Sequence, residues 1–248
     1  MSTDKGSVVR ELFDCIAARY DRANTVMTGG MDVLWRRSAV NQLHAADDGR
    51  LLDLCCGTGA LARDMARRVP EGLVDAIDFS PKMLEIARAH ESPGNVVYHE
   101  GDVLALPFES GTFDGAAMGY SLRNIVDIPA CLREIARVLK PGASFVNLEV
   151  SKPPNPLWRR LFYLYFYNVL PVLGRMAGGD AAAYRYLPQS LVNFPDADGL
   201  AALFQANGFA YVRYVRIWGG VSALHIGTKE RVPSAIRTDL PMTADLLA

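Results

Sequence analysis

The chain has 248 residues, half of them hydrophobic and 21% charged, with 26 basic against 27 acidic side chains for a formal net charge of −1. That length and apolar content support an α/β core and exclude a small disulfide scaffold or a largely disordered chain. Balanced charge leaves no global cationic field to hold nucleic acid, so any electrostatic partner is met locally. The cysteines Cys15, Cys55, Cys56 and Cys131 show no C-x-x-C spacing, and the four histidines have no ligand-like pairing, so no metal site is expected. The opening MSTDKGSVVRELFD lacks an apolar signal core, and free thiols fit a cytoplasmic setting.

In chain order, Glu11 to Ala18 and Val33 to His44 read as amphipathic helices separated by a polar, glycine-containing link from Tyr20 to Asp32. From Arg50 short apolar runs alternate with helical ones. Leu51–Cys55, Leu73–Ile77, Val96–Tyr98, Phe113–Met118 and Ser144–Val150 are the predicted strands, with helices Thr58–Val69, Pro81–His90 and Ile128–Leu139 between them. This alternation predicts a doubly wound, mostly parallel sheet. The rhythm breaks at Lys152-Pro-Pro-Asn-Pro156, where an aromatic segment begins. A helix is expected over Pro195–Asn207, then strands Phe209–Trp218 and Val221–Thr228 joined by Gly219-Gly220, an antiparallel finish. A single domain results: helical cap 1–48, core 49–151, lid insertion 152–194, helix and hairpin 195–229, loose tail 230–248.

The strongest local signal is the run from Leu51 to Ala62, a strand feeding a glycine turn and a helix. Gly57 and Gly59 let backbone approach a ligand, and the helix start favours polar or anionic groups. Asp78, at the end of the second strand, suits two ribose hydroxyls, or else belongs to the cap of the helix that Ser80 and Pro81 open. The pattern also satisfies the dinucleotide fingerprint. Against a dinucleotide stands Asp53, which would repel a pyrophosphate but welcome the cationic amino-acid end of S-adenosylmethionine. Asp102, after the third strand, can accept from an adenine amino group.

Ala18-Arg-Tyr-Asp21 with Asn24, Trp35-Arg36, Leu52-Asp-Leu-Cys-Cys-Gly-Thr-Gly59, Leu106-Pro-Phe108, Gly119-Tyr-Ser-Leu-Arg-Asn-Ile125, Leu139-Lys-Pro-Gly142, Glu149-Val-Ser-Lys-Pro153 and Tyr184-Arg-Tyr-Leu-Pro-Gln-Ser190 carry a resemblance over about Phe13 to Lys229. Through them the chain resembles the ubiquinone/menaquinone biosynthesis C-methyltransferase family. The resemblance implies a Rossmann-like class I methyltransferase fold and methyl transfer from S-adenosylmethionine to a ring carbon of a polyprenylated quinol. It also implies a cofactor lining of Thr58, Asp78, Asp102, Val103 and Gly119, with Asp53, Gly57, Gly59 and Phe79 beside them. Ala60, Ser121 and Gly119 depart from the usual residues, and the Gly119-Tyr120 start is closer to the menaquinone and phylloquinone branches. Another phenolic or isoprenoid acceptor, or a non-catalytic cofactor-binding subunit, stays open as an alternative.

Carbon methylation needs a quinol hydroxyl deprotonated beside the acceptor carbon, which a fixed cation promotes. Arg123 fills that role, unless it pairs on the surface with Asp127. Asn124 would hold the second ring oxygen or else cap the next helix, and Tyr20 with Asp21 would close over the site. His99 and His225 read as packing residues, and Cys55-Cys56 as a small buried pair. Leu157 to Arg175 is too short to span a bilayer and is broken by Pro171. It suits a lid over a prenyl tail, a peripheral foot on a membrane surface, or a buried helix or homodimer face.

Overall fold

The computed structural model describes residues 5–172 and 189–230. Five apolar runs form parallel strands: β1 (Arg50–Leu54), β2 (Leu73–Asp78), β3 (Val96–Glu100), β4 (Phe113–Gly119) and β5 (Leu139–Val150). Two more, β6 (Phe209–Ile217) and β7 (Ser222–Lys229), close the sheet antiparallel in the order β3-β2-β1-β4-β5-β7-β6. Central strands read as continuous hydrophobic runs because helices cover both faces, and Leu51, Leu52 and Leu54 are fully buried. One face packs on α3 (Met31–Val40) and α4 (Ala60–Arg68), the other on α6 (Ile128–Val138) and α8 (Ala197–Ala206). On the second face the rings of Phe145 and Phe204 stack 5.3 Å apart. The remaining helices are α1 (Lys5–Ile16), α2 (Tyr20–Thr28), α5 (Pro81–Ala89) and α7 (Pro156–Leu164).

The structure departs from the sequence expectations at several places, beginning with α1, which starts six residues before the expected Glu11, and α3, which ends four before the expected His44. The link expected over Tyr20–Asp32 is helix α2, ended by the left-handed Gly29. Of its residues only Ala23 is buried, because α2 faces a cavity, so it shows no apolar stripe. The strand expected from Ser144 starts at Leu139, the extra residues being absorbed by a register shift opposite Phe113 and Gly115. The break expected at Pro171 is absent: the chain is still helical at Val172, and a wider π turn at Tyr165–Val169 precedes the proline. A proline ring crowds the carbonyl one turn back in a regular helix, and the wider turn gives it room. Residues 184–188 of the Tyr184–Ser190 motif, part of the lid and the expected tail beyond 230 lie outside the described residues.

Candidate active site

Between β1 and β4 the strand order reverses, which leaves a crevice at the carboxyl ends of the strands. Cys55 leaves β1 with φ 53°, followed by Gly57 at 54° and Gly59 at 76°. The two glycines serve different ends. A Cβ on Gly57 would meet nothing within 4 Å, so its backbone fronts open space, whereas one on Gly59 would lie 2.5 Å from the Tyr98 hydroxyl oxygen. Gly57 therefore permits a ligand to approach, and Gly59 permits α4 to pack on β3.

A small cavity of about 110 Å³ lies over this turn, with Gly57, Asp78, Phe79, Asp102, Val103 and Asn124 on its walls. The Gly57 amide donates to Asp78 Oδ2 at 2.8 Å and the Ser80 amide to Oδ1 at 2.9 Å, while Ser80 caps α5 through the Met83 amide. Both readings of Asp78 thus survive: Ser80 makes the cap, and the carboxylate lies on the cavity wall. Burial raises the Asp78 pKa, against its amide donors. Asp102 accepts the Leu104 amide through Oδ1. Helix α1 roofs the cavity with Gly6, Val9 and Phe13, which holds its volume below the about 300–1000 Å³ of ordinary cofactor sites.

Asp53, Thr58, Gly59 and Gly119, expected to line the cofactor, line neither this cavity nor the larger one beside it. The Thr58 hydroxyl donates to Asp21 at 2.7 Å, tying the cap to the glycine turn. Asp53 is 1% exposed, and neither carboxylate oxygen makes a hydrogen bond of normal geometry among the described residues. Burial pushes its pKa well above the usual carboxylate range, with the nearby Ala62 amide pulling the other way by less. A buried, unpartnered acid calls for a cation or donor. With the open backbone at Gly57, it makes this residue set fit a ligand bearing an ammonium group and a ribose.

A larger cavity of about 1220 Å³ adjoins the first, and Phe13 and Tyr20 stand in the walls of both. Its lining is mainly aromatic and aliphatic, from Phe13 and Met27 of the cap to Trp158, Phe162 and Phe166 of the lid. The lid is held to the cap by the Tyr165 hydroxyl, which donates to the Met27 carbonyl at 2.9 Å. Asp32, Arg36, Tyr120 and Arg123 supply polar groups to this lining.

Arg123 and Asn124 are neighbours on a 3-10 turn (Leu122–Asn124), yet they serve different cavities. Arg123 lines the large one and is ion-paired at 2.5 Å with Glu149, not with Asp127. Asp127 caps α6 by accepting the Ala130 amide. The expected lone cation is therefore half of a neutral buried pair. Asn124 lines the small cavity, does not cap α6, and has both side-chain polar atoms buried without partners among the described residues. Tyr20 is the shared wall, and burial raises its pKa, with Asn24 acting against that.

His99 donates to Asp75 at 2.7 Å and His225 to the Ala197 carbonyl at 2.9 Å, both away from the cavities. Cys56 is buried, while Cys55 is partly exposed and on the small cavity. Reading residue types in sequence missed Glu149 and the Asp32–Arg36 pair, whose atoms approach to 2.5 Å. The signal for Glu149 was available: a lone acid in the apolar run Ala143–Val150 demands a buried partner.

A crevice at the strand reversal with a carboxylate ending β2 defines a Rossmann-like nucleoside-binding fold, and solved class I methyltransferases share it. A methyltransferase of Haloferax volcanii, solved with the Trm112 methyltransferase activator, superposes with TM-score 0.68 at 17% identity over 88% of this chain and 98% of that one. A SAM-dependent methyltransferase of Thermotoga maritima gives 0.64 at 20% identity over 89% and 99%. The ubiE/COQ5 methyltransferase family matches residues 1–229, and the chain belongs to that family. Among its relatives are the demethylmenaquinone methyltransferases of Lactococcus lactis, 40% identical over 92% of each chain, and of Desulfitobacterium hafniense, 39% identical over 92% of each.

Proposed function

We propose that this enzyme methylates a ring carbon of a demethylmenaquinol-type acceptor, using S-adenosylmethionine. The observation that carries the reading is the pair of adjoining cavities with Tyr20 in their common wall, one bounded by carboxylates and glycine backbone, the other large and aromatic. The names of the relatives support the naphthoquinol branch.

S-adenosylmethionine supplies an electrophilic methyl group on a sulfonium. Asp53 would receive its ammonium group, Asp78 its ribose hydroxyls, and Asp102 with Phe79 and Val103 its adenine. The remaining work is alignment in a dry site, which is what an aromatic cavity closed by cap and lid provides. Arg123 holds a ring oxygen of the acceptor and favours its ionised form by hydrogen bonding. Asn124 contacts the donor side. Tyr20, kept protonated by burial, separates the two halves and donates.

Among the described residues no helix is long and apolar enough to cross a membrane. A long-tailed acceptor nonetheless resides in lipid; α7 lines the large cavity through Trp158, Leu161 and Phe162 and exposes Leu157, Leu161 and Leu164, so α7 is the foot that rests on the bilayer.

The test is transfer of labelled methyl to chemically reduced demethylmenaquinol and to a benzoquinol, with mass spectrometry of the product. Carbon methylation of the naphthoquinol is expected. No product from either ring, with the cofactor bound, overturns the acceptor.

A further inference from the structure

Glu149 is a carboxylate with 1% side-chain exposure, and it holds Arg123 at two places. Oε1 accepts the Arg123 Nη1–H at 2.5 Å and Oε2 accepts the Arg123 backbone N–H at 3.2 Å. Glu149 is itself fixed by the Val150 amide, which donates to Oε1 at 2.9 Å. Arg123 Nη1 donates a second time, to the Tyr120 carbonyl at 2.5 Å. Tyr120 presents that carbonyl from φ 56°, a left-handed backbone that a tyrosine adopts only under constraint. The Nη1 corner is thus used up. Nη2, in contrast, makes no hydrogen bond among the described residues and is not enclosed, and Nε is buried without a partner among them. A buried N–H is rarely left so, and Arg123 stands in the wall of the acceptor cavity.

We infer that Glu149 is a positioning residue: it clamps the Nη1 corner of Arg123 so that the N–H groups of the opposite edge are reserved for a ring oxygen of the acceptor, and it cancels the net charge so that the acceptor binds as a neutral phenol. The inference rests on the proposed methylation of a phenolic ring. A clamped guanidinium keeps its fork in one geometry, as bidentate or directed recognition of an oxygen requires. The carboxylate makes ionisation of the acceptor depend on that hydrogen bond and not on a free positive charge. The other groups around the pair are Tyr20 from α2, Tyr120 after β4, Asp21, and Asp32 with Arg36 from α3. Burial raises both tyrosines, which stay protonated through the neutral range. Asp21 is engaged by Thr58 and Asp32 by Arg36, so Glu149 is the carboxylate whose loss uncovers the Arg123 charge.

The test compares Glu149→Gln and Glu149→Asp with wild type in kcat against pH, KM for the acceptor and Kd for S-adenosylmethionine, with circular dichroism to verify folding. In Glu149→Gln the amide nitrogen cannot accept the Arg123 backbone N–H, and the guanidinium charge is left uncompensated. Plateau kcat is expected to fall about tenfold or more, and the rising limb of kcat to move to lower pH by about one unit. Cofactor Kd stays within about twofold, as the pair does not line the small cavity. Glu149→Asp keeps the charge but retracts the clamp, so kcat falls while the limb stays at the wild-type pH. An unmoved limb in folded Glu149→Gln, or wild-type kcat in Glu149→Asp, overturns the inference. Failure of wild type to methylate demethylmenaquinol would instead overturn the acceptor, and the same profiles would then be run on whichever phenol is turned over.

Discussion

At the scale of single residues, Asp53 is where folding and binding oppose each other. A carboxyl without a normal hydrogen bond inside β1 is a cost to the empty protein, which is why its pKa is raised. Because the folded value lies above that of the unfolded chain, near about 3.9 for a free aspartate, the folded state holds the proton longer. Stability of the empty protein therefore falls as pH rises from that value toward the raised one. Asp53→Asn removes the dependence and is expected to stabilise the cofactor-free protein by about 1–2 kcal/mol at neutral pH. The same change removes the partner of a cationic ligand, a loss of about 1.5–3 kcal/mol, or about 10- to 150-fold in Kd. Thermal melts with and without S-adenosylmethionine check both signs at once. A variant that melts lower when empty, or binds as wild type does, would show that Asp53 is an ordinary core acid.

At the scale of elements, α1 is the cover of the small cavity. It roofs that cavity, and its Asp14 is tied to the end of β2 by the Ser80 hydroxyl at 2.5 Å. Asp14→Ala cuts this tie while Ser80 still caps α5, so both association and release of S-adenosylmethionine are expected to quicken about three- to tenfold, with Kd changed less. Stopped-flow fluorescence or competition kinetics measures this, and unchanged rates would remove α1 from the role of gate. The core elements around this cover were legible in the sequence, as strands β1, β2 and β4 and helices α4 to α6 follow apolar runs whose period matches their burial. Helix α2 was not, because its inner side faces a cavity and not a core, so the hydrophobic stripe that marks a helix is missing. For the site, Gly57, Asp78, Phe79, Asp102 and Val103 line one cavity, since the parallel pairing of β1, β2 and β3 sets the carboxyl ends of three strands side by side. The partnership of Arg123 with Glu149 was not visible, because it joins positions 26 residues apart on separate elements. Neither was the division of Arg123 and Asn124 between two cavities, which depends on side-chain direction within a single turn.

At the scale of the whole molecule, balanced charge conceals a one-sided surface. From Ser151 to Val172 the sequence has Lys152, Arg159 and Arg160 and no acidic residue. Along α7 the side chains of Leu157, Leu161 and Leu164 are exposed by 71%, 49% and 60% at helical spacing. Val26, Trp158, Leu161 and Trp218 are each both exposed and part of the wall of the large cavity, so this apolar face continues into that cavity. A surface of this composition loses little by leaving water for an anionic bilayer and gains from its basic side chains there. Wild-type protein is accordingly expected to sediment with vesicles containing an anionic lipid, less so as salt screens the arginines. Leu157→Glu with Leu164→Glu, neither of which lines the cavity, removes two exposed apolar contacts worth about 1–2 kcal/mol each and adds repulsion, so partition should fall about 30-fold or more. If the face serves delivery of a lipid acceptor, the double variant raises KM for a long-tailed quinol on vesicles and leaves a short-tailed, water-dispersed quinol unaffected. Equal loss on both substrates would make α7 a structural lid alone. Absence of vesicle binding by wild type at low salt would mean that the tail reaches the cavity from solution, leaving the exposed leucines with no part in its delivery.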